Sequence, residues 1–294
     1  MYYRRKILLA LLETFDNRLE KISLQKLLML VSKQQEKPDF YFVPYKFGCF
    51  SFQANADLST MVKYNQVKVE GNVWCKTDSE KYLGSLKLRD RQAIVYIKHL
   101  YGNKNADELI SLTYNKYPYF AVNSTIAKDV LNSDAYQKVL DARPKSDKTI
   151  LFTIGYEGIS LEEYLNKLIL NDIKMLCDVR KNSLSMKYGF SKSQLQNACE
   201  GVGIKYIHIP QLGIESDKRQ TLNCQADYDN LFAVYRSEIL TKTMEYQNQL
   251  LKLLLENKRI ALTCFEANIC QCHRTQLANA IVKLPEFNYE LKHI

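Results

Sequence analysis

From Thr149 onward the chain alternates short apolar runs with amphipathic stretches, a pattern that restricts this half to parallel strands covered by helices. The runs are Thr149–Ile154, Ile173–Val179, Ile204–His208 and Arg259–Phe265, with Asn288–His293 as a shorter candidate for a sheet edge. They are brief and rich in β-branched and aliphatic residues, as strands buried on both faces are. Ser160–Leu170, Ser191–Glu200, a long stretch at about 226–256 and Arg274–Val282 have helical spacing between them. Ser160 and Glu163 form a capping-box pattern at the first of these helices. The expectation is an α/β domain over 149–294, a mainly parallel sheet with helices on both faces.

Residues 1–142 read differently. Ile7, Leu8, Leu11 and Leu12 follow helical spacing within Arg4–Glu13, and Ser23 is a candidate N-cap for the apolar stretch that ends at Val31. Phe40–Ser51 is aromatic and extended, punctuated by Pro44 and Gly48. A further helix is expected over 56–66, and Val67–Lys76 alternates around Gly71-Asn72, a hairpin signal. Helices near 87–101, 105–116 and 124–131 complete a mostly helical, winged-helix-like domain. Polar residues, Arg143-Pro144 and lysines mark a linker over 143–148.

Charge divides along the same boundary. Residues 1–150 hold 24 Lys+Arg against 16 Asp+Glu, whereas 151–294 hold 17 against 16, so nearly all of the net +9 lies in the first half. A basic domain joined to a neutral one suits a polyanionic partner such as nucleic acid; scattered lysines that only confer solubility are the alternative. Tyr41, Phe42, Tyr45, Phe47 and Phe50 around Lys46 could stack on bases or fill the core. The apolar stretch after Lys6 is short and ends at Glu13, and no run is long enough to span a membrane, so a cytoplasmic protein with no membrane partner is expected. Its eight cysteines then read as thiols, ligands or nucleophiles rather than as a disulfide framework.

Three of the expected strands end in polar groups: Gly155-Tyr156-Glu157, Cys177-Asp178-Val179-Arg180 and Cys264-Phe265-Glu266. Ends of parallel strands share one edge, where open α/β sheets bind ligands. Tyr156, Asp178, Arg180, Cys264, Glu266, Cys272, His273 and Arg274 can therefore converge. Arg180 and Arg274 would hold an anion, and Asp178 or Glu266 would move protons. Cys272 at a helix start is a candidate nucleophile, its thiolate favoured by the helix terminus and a nearby arginine, with His208 as a possible base. Cys264, Cys270, Cys272 and His273 also form a zinc-type donor set, although Cys272 and His273 are adjacent and the spacing is irregular. Cys264 as a small buried hydrophobe and the charges as a structural ion-pair cluster are the bland alternatives. No cofactor is expected, because neither a P-loop nor a dinucleotide fingerprint occurs.

The ordered series Thr153-Ile154-Gly155-Tyr156-Glu157-Gly158, Asp178-Val179-Arg180 with Asn182-Ser183, Phe190, Gly203-Ile204 with Tyr206, Leu212-Gly213, Cys264-Phe265-Glu266 and Cys272-His273-Arg274 resembles the family called domain of unknown function 488, over about 150–283. The resemblance implies that the strand-end motifs, Ser183 included, form one site. Members typically carry Gly-His-Ser where this chain has Gly155-Tyr156-Glu157. Leu24-Gln25-Lys26-Leu27-Leu28 and Tyr45–Ser51 are similar to the SocA-like antitoxin domain, also called Panacea, over about residues 1–75. That similarity implies a module for protein partners or nucleic acid. Two readings follow: an enzyme, a hydrolase or transferase, acting on a nucleotide or nucleic-acid component; or a non-catalytic, antitoxin-like or defence-associated regulator whose pocket recognises a ligand.

Overall fold

A computed structural model describes residues 1–215 and 222–294, which form two compact units, Met1–Arg143 and Pro144–Ile294. In the first unit the chain runs α1 (Tyr3–Thr14), β1 (Arg18–Glu20), α2 (Lys21–Ser32), β2 (Val43–Tyr45), β3 (Gly48–Phe50), α3 (Phe52–Lys63), β4 (Val67–Glu70) and β5 (Val73–Lys76). It continues through α4 (Leu88–Tyr101), α5 (Ala106–Lys116), α6 (Ala127–Val130) and α7 (Ser133–Asp141).

Helix α1 is fully buried along Ile7–Leu12, and α2 is buried from Ser23 to Ser32, so both pass through the core rather than over it. Asp57, itself buried, holds Arg4 and Arg5 at 2.5 and 2.7 Å and ties α3 to α1. Strands β4 and β5 form the hairpin expected around Gly71-Asn72, and β1 pairs antiparallel with β5. Ser23 does not cap α2. That helix starts earlier, at Lys21, and Ser23 lies buried inside it. Helix α3 starts at Phe52 because the Ser51 hydroxyl accepts from the Ala54 amide at 3.2 Å. Of the aromatic segment, Phe42 is buried and Tyr45 stacks on Phe50 at 4.9 Å, whereas Tyr41 and Phe47 are exposed.

The second unit is β6 (Ile150–Gly155), α8 (Leu161–Leu170), β7 (Met175–Asp178), α9 (Lys192–Gly201), β8 (Lys205–His208), α10 (Gln225–Val234), α11 (Met244–Asn257), β9 (Arg259–Cys264), α12 (His273–Val282) and β10 (Glu290–His293). All five strands are parallel in the order β10-β6-β9-β7-β8. Alternation assigns the faces. Leu151, Met175, Cys177, Ile260 and Leu262 pack with Leu250, Leu254, Leu277 and Ile281 of α11 and α12. Thr263 points the other way, where its hydroxyl accepts from Tyr164 of α8 at 2.7 Å. The sheet therefore has helices on both faces. The long helical stretch expected over 226–256 is divided, because one wide, π-type turn at Tyr235–Leu240 follows α10 and α11 begins only at Met244.

Ser160 caps α8: its hydroxyl accepts from the Glu163 amide at 3.2 Å while the Glu163 carboxylate accepts from the Ser160 amide at 2.9 Å. Ser160→Ala is expected to cost about 1 kcal/mol by removing one half of that exchange, read as a lower denaturation midpoint; Ser160→Asp should retain most of it. Arg259 braces the opposite end of the sheet. Its guanidinium donates to the carbonyls of Asn171 and Lys148 and to the Ser146 hydroxyl, 2.8–3.1 Å away, and lies over the Phe152 ring. No helix among the described residues is long and apolar enough to cross a membrane.

Candidate functional site

Strands β6, β9 and β7 lie side by side in one direction, with Gly155 level with Cys264 and Asp178 level with Thr263. The polar residues after each strand therefore meet at one edge, and they sort into two buried clusters and a cleft.

The first cluster centres on Asp178, which is inaccessible to solvent. Its carboxylate accepts from Arg180 Nε at 2.8 Å and Nη2 at 2.5 Å, from the Arg180 amide at 3.1 Å and from the Tyr206 hydroxyl at 2.7 Å. Arg180 Nη1 donates to the Tyr156 hydroxyl and to the Phe190 carbonyl at 2.7 and 2.9 Å. The Tyr156 ring stacks on Phe190 with centroids 4.3 Å apart. Burial acts to lower the Arg180 pKa, but the Asp178 carboxylate and Tyr156 outweigh it and hold the guanidinium protonated. Burial raises the Tyr156 pKa against the pull of Arg180, and burial together with Asp178 raises that of Tyr206.

Arg180, expected to hold an anion, turns Nε and Nη2 to Asp178 and Nη1 to Tyr156 and Phe190, and Asp178, expected to move protons, has no surface exposed to solvent. His208, also considered as a base, has Nε2 at 2.8 Å from the Arg180 carbonyl.

The second cluster joins the end of β9 to the start of α12. Glu266 Oε2 accepts from Cys264 Sγ at 3.1 Å and Cys272 Sγ at 3.0 Å, and Cys264 Sγ lies 3.5 Å from His273 Nδ1. One donor atom from each of the four residues lies within 4.8 Å of all the others, a set able to hold a metal ion. Cys270 is exposed and stands outside it; Glu266 takes the place expected for Cys270. Cys272 is wholly buried, and burial raises its pKa, with Cys264 and Glu266 adding to the effect against Arg274. Cys272, expected as a thiolate nucleophile, is thus buried at the start of α12, where desolvation works against the thiolate. Arg274, expected to hold an anion, is buried as well, and its Nη groups donate to the backbone carbonyls of Glu266 and Ala267 at the β9–α12 corner.

The cleft opens between these clusters, with a volume of about 550 Å³. Tyr156, Cys264, Phe265 and Glu266 form one side, and Arg180 and the loop after it, with Lys181, Asn182, Ser185 and Lys187, form another. Lys187 Nζ donates to the Tyr156 carbonyl at 2.6 Å; burial lowers its pKa while Glu163 and Glu157 act against that. Lys181 is half-exposed, with its ammonium 3.9 Å from Glu215. Of the expected residues, Ser183 lies outside the cleft lining, and its carbonyl accepts from the Lys192 amide at 3.0 Å. Lys181, Ser185, Lys187 and Phe265 were not singled out from the sequence. Two lysines in an aperiodic loop give no pattern, although their position just after the Asp178–Arg180 motif was a usable signal.

The fold and this edge define an α/β domain with a polar site outside the carboxyl ends of its strands. Residues 160–281 match the model of the family described as "Domain of unknown function DUF488", so the second unit carries a domain of that family. No curated protein and no solved structure matches the chain.

Proposed function

We propose that the second domain is an enzyme that binds a nucleotide or nucleic-acid component in the cleft and transforms it there, as a hydrolase or transferase. The observation that carries this reading is the cleft itself, which Lys181, Asn182, Ser185 and Lys187 line together with Phe265 and Glu266. Lysines and hydrogen-bonding side chains suit phosphate oxygens, and Phe265, a residue 42% exposed, offers a stacking surface to a base. Glu266 is the carboxylate that lines the cleft, and it takes the proton-moving role. The first domain, which holds nearly all of the chain's net positive charge, delivers this chemistry to nucleic acid.

Titration of the full chain with a panel of mononucleotides and short oligonucleotides tests the reading. Lys181→Ala with Lys187→Ala is expected to weaken binding about tenfold or more, with affinity falling as salt rises. Absence of binding to every member of the panel at low salt would refute it. Glu266→Gln should then abolish turnover while leaving nucleotide affinity within about twofold, the separation expected of a group that acts in the chemical step.

A further inference from the structure

We propose that Cys264, Cys272 and His273, with Glu266 on the cleft side, form a zinc site that bridges β9 and α12. Zinc takes thiolate sulfur at about 2.3 Å and imidazole nitrogen or carboxylate oxygen at about 2.0–2.2 Å, so neighbouring ligand atoms in a tetrahedron stand about 3.3–3.8 Å apart. Here the Glu266 oxygen lies 3.1 and 3.0 Å from the two sulfurs, and His273 Nδ1 lies 3.5 Å from Cys264. To reach the tetrahedral spacing around an ion the Glu266 oxygen would move away from the two sulfurs by about half an ångström, and the longer separations, none above 4.8 Å, would draw in.

The histidine supplies an independent argument. Its Nε2 lies 3.0 Å from the Val179 carbonyl, which can only accept, so Nε2 carries the hydrogen. In the neutral ring Nδ1 then carries a lone pair, and it lies 3.5 Å from the Cys264 sulfur, one of the group. A ring fixed by a carbonyl on one nitrogen with the other presented to a donor cluster is the arrangement that metal-binding histidines use. Tyr235 packs edge-on against the same ring at 5.6 Å and holds its plane.

Charge favours the exchange as well. Uptake of Zn²⁺ releases the two thiol protons of Cys264 and Cys272 to solvent, so the buried corner keeps the same net charge. Arg274 lies beside the group with its Nη groups on the backbone carbonyls of Glu266 and Ala267, and among the described residues its Nε has no hydrogen-bond partner. Three of the four ligands are buried, whereas Glu266 is partly accessible and lines the cleft. Glu266 is therefore the ligand able to give way to water, which would put a zinc-bound water at the cleft wall beside its own proton acceptor. That last step rests on the enzymatic reading above; zinc binding does not.

Elemental analysis of the full chain after dialysis against Zn²⁺ is expected to give about one zinc per chain, and Co²⁺ loading is expected to give thiolate-to-cobalt absorption in the near ultraviolet with tetrahedral visible bands. Cys272→Ser should lose both signals, and Cys270→Ser should keep both. Should Cys272→Ser fail to fold by circular dichroism, Glu266→Gln at the accessible position is the second test, with zinc affinity expected to fall about tenfold or more. A chain that takes up no zinc, or loses it equally in Cys270→Ser, would overturn the proposal. Both measurements are made without nucleotide, so failure here leaves the cleft lysines and their ligand untouched, and failure of nucleotide binding leaves the metal result standing.

Discussion

Asp178→Ala is expected to destabilise the second domain by about 3–5 kcal/mol, the largest single-residue effect the structure supports. The carboxylate is fully buried and is the charged partner of Arg180, which keeps only 5% of its own surface exposed. Removing it leaves a buried guanidinium without its carboxylate, an Arg180 amide without its acceptor and a Tyr206 hydroxyl without the carboxylate that accepts from it. Asp178→Asn keeps the shape but not the charge and should fall between wild type and Asp178→Ala. Replacing the pair together, Asp178→Leu with Arg180→Met, should recover part of the loss, because the penalty lies in the stranded charge. Guanidinium unfolding followed by circular dichroism measures all three. An unchanged midpoint for Asp178→Ala would mean that the pair is not the internal brace described above.

Gly155→Ala is expected to cost about 1–3 kcal/mol and to disable the cleft at the same time. A Cβ there would stand 2.0 Å from the Glu266 carbonyl oxygen and 2.8 Å from its carbon, so the backbone of the β9–α12 corner would have to shift. The same carbonyl receives Arg274 Nη1, and the shift would therefore carry both Glu266 and Arg274 with it. Affinity for the proposed nucleotide and zinc ligands should fall together with stability. Gly84→Ala, which meets nothing within 4 Å, is the neutral control. Wild-type stability and binding in Gly155→Ala would show that the corner is softer than its packing implies. Gly213 is under a similar constraint, since a Cβ there would lie 2.0 Å from the Lys181 amide. Both glycines occur in the ordered motif series, and close approach of backbone to backbone is the physical reason.

Much of the second domain was legible because its signals are local. Apolar runs ending at Gly155, Asp178 and Cys264 gave the strands, Ser160 with Glu163 gave a helix start, and parallel strands oblige their ends to meet. What the sequence could not supply was pairing. Asp178, Arg180, Glu266 and Arg274 read alike as exposed chemistry, yet three of them are buried, and Arg180 turns inward to Asp178 while Arg274 turns to carbonyls. The sequence pointed to Cys270 as a member of the thiol cluster, but the turn between β9 and α12 leaves Cys270 exposed and brings Glu266 into its place. In the first unit, α7 had no counterpart in the sequence reading, because its buried face is only Ala135 and Val139. The lysines of the cleft were passed over for a related reason: in a loop, position is set by the ends of the loop rather than by any repeat in its residues.

The strand order has a kinetic consequence. Strand β9 lies between β6 and β7, which are made long before it, so the two early strands cannot pair with each other and must wait for a partner from residues 259–264. Contacts so distant along the chain slow folding, because loop-closure entropy is lost before the pairing rewards it. Until that insertion the apolar edges of β6 and β7 are open to wrong partners, the hazard of parallel sheets built out of order. The same insertion brings Cys264 and Glu266 opposite Tyr156 and Arg180. Chains stalled short of β9 would therefore lack the cleft altogether, and the site arises in the step that completes the sheet.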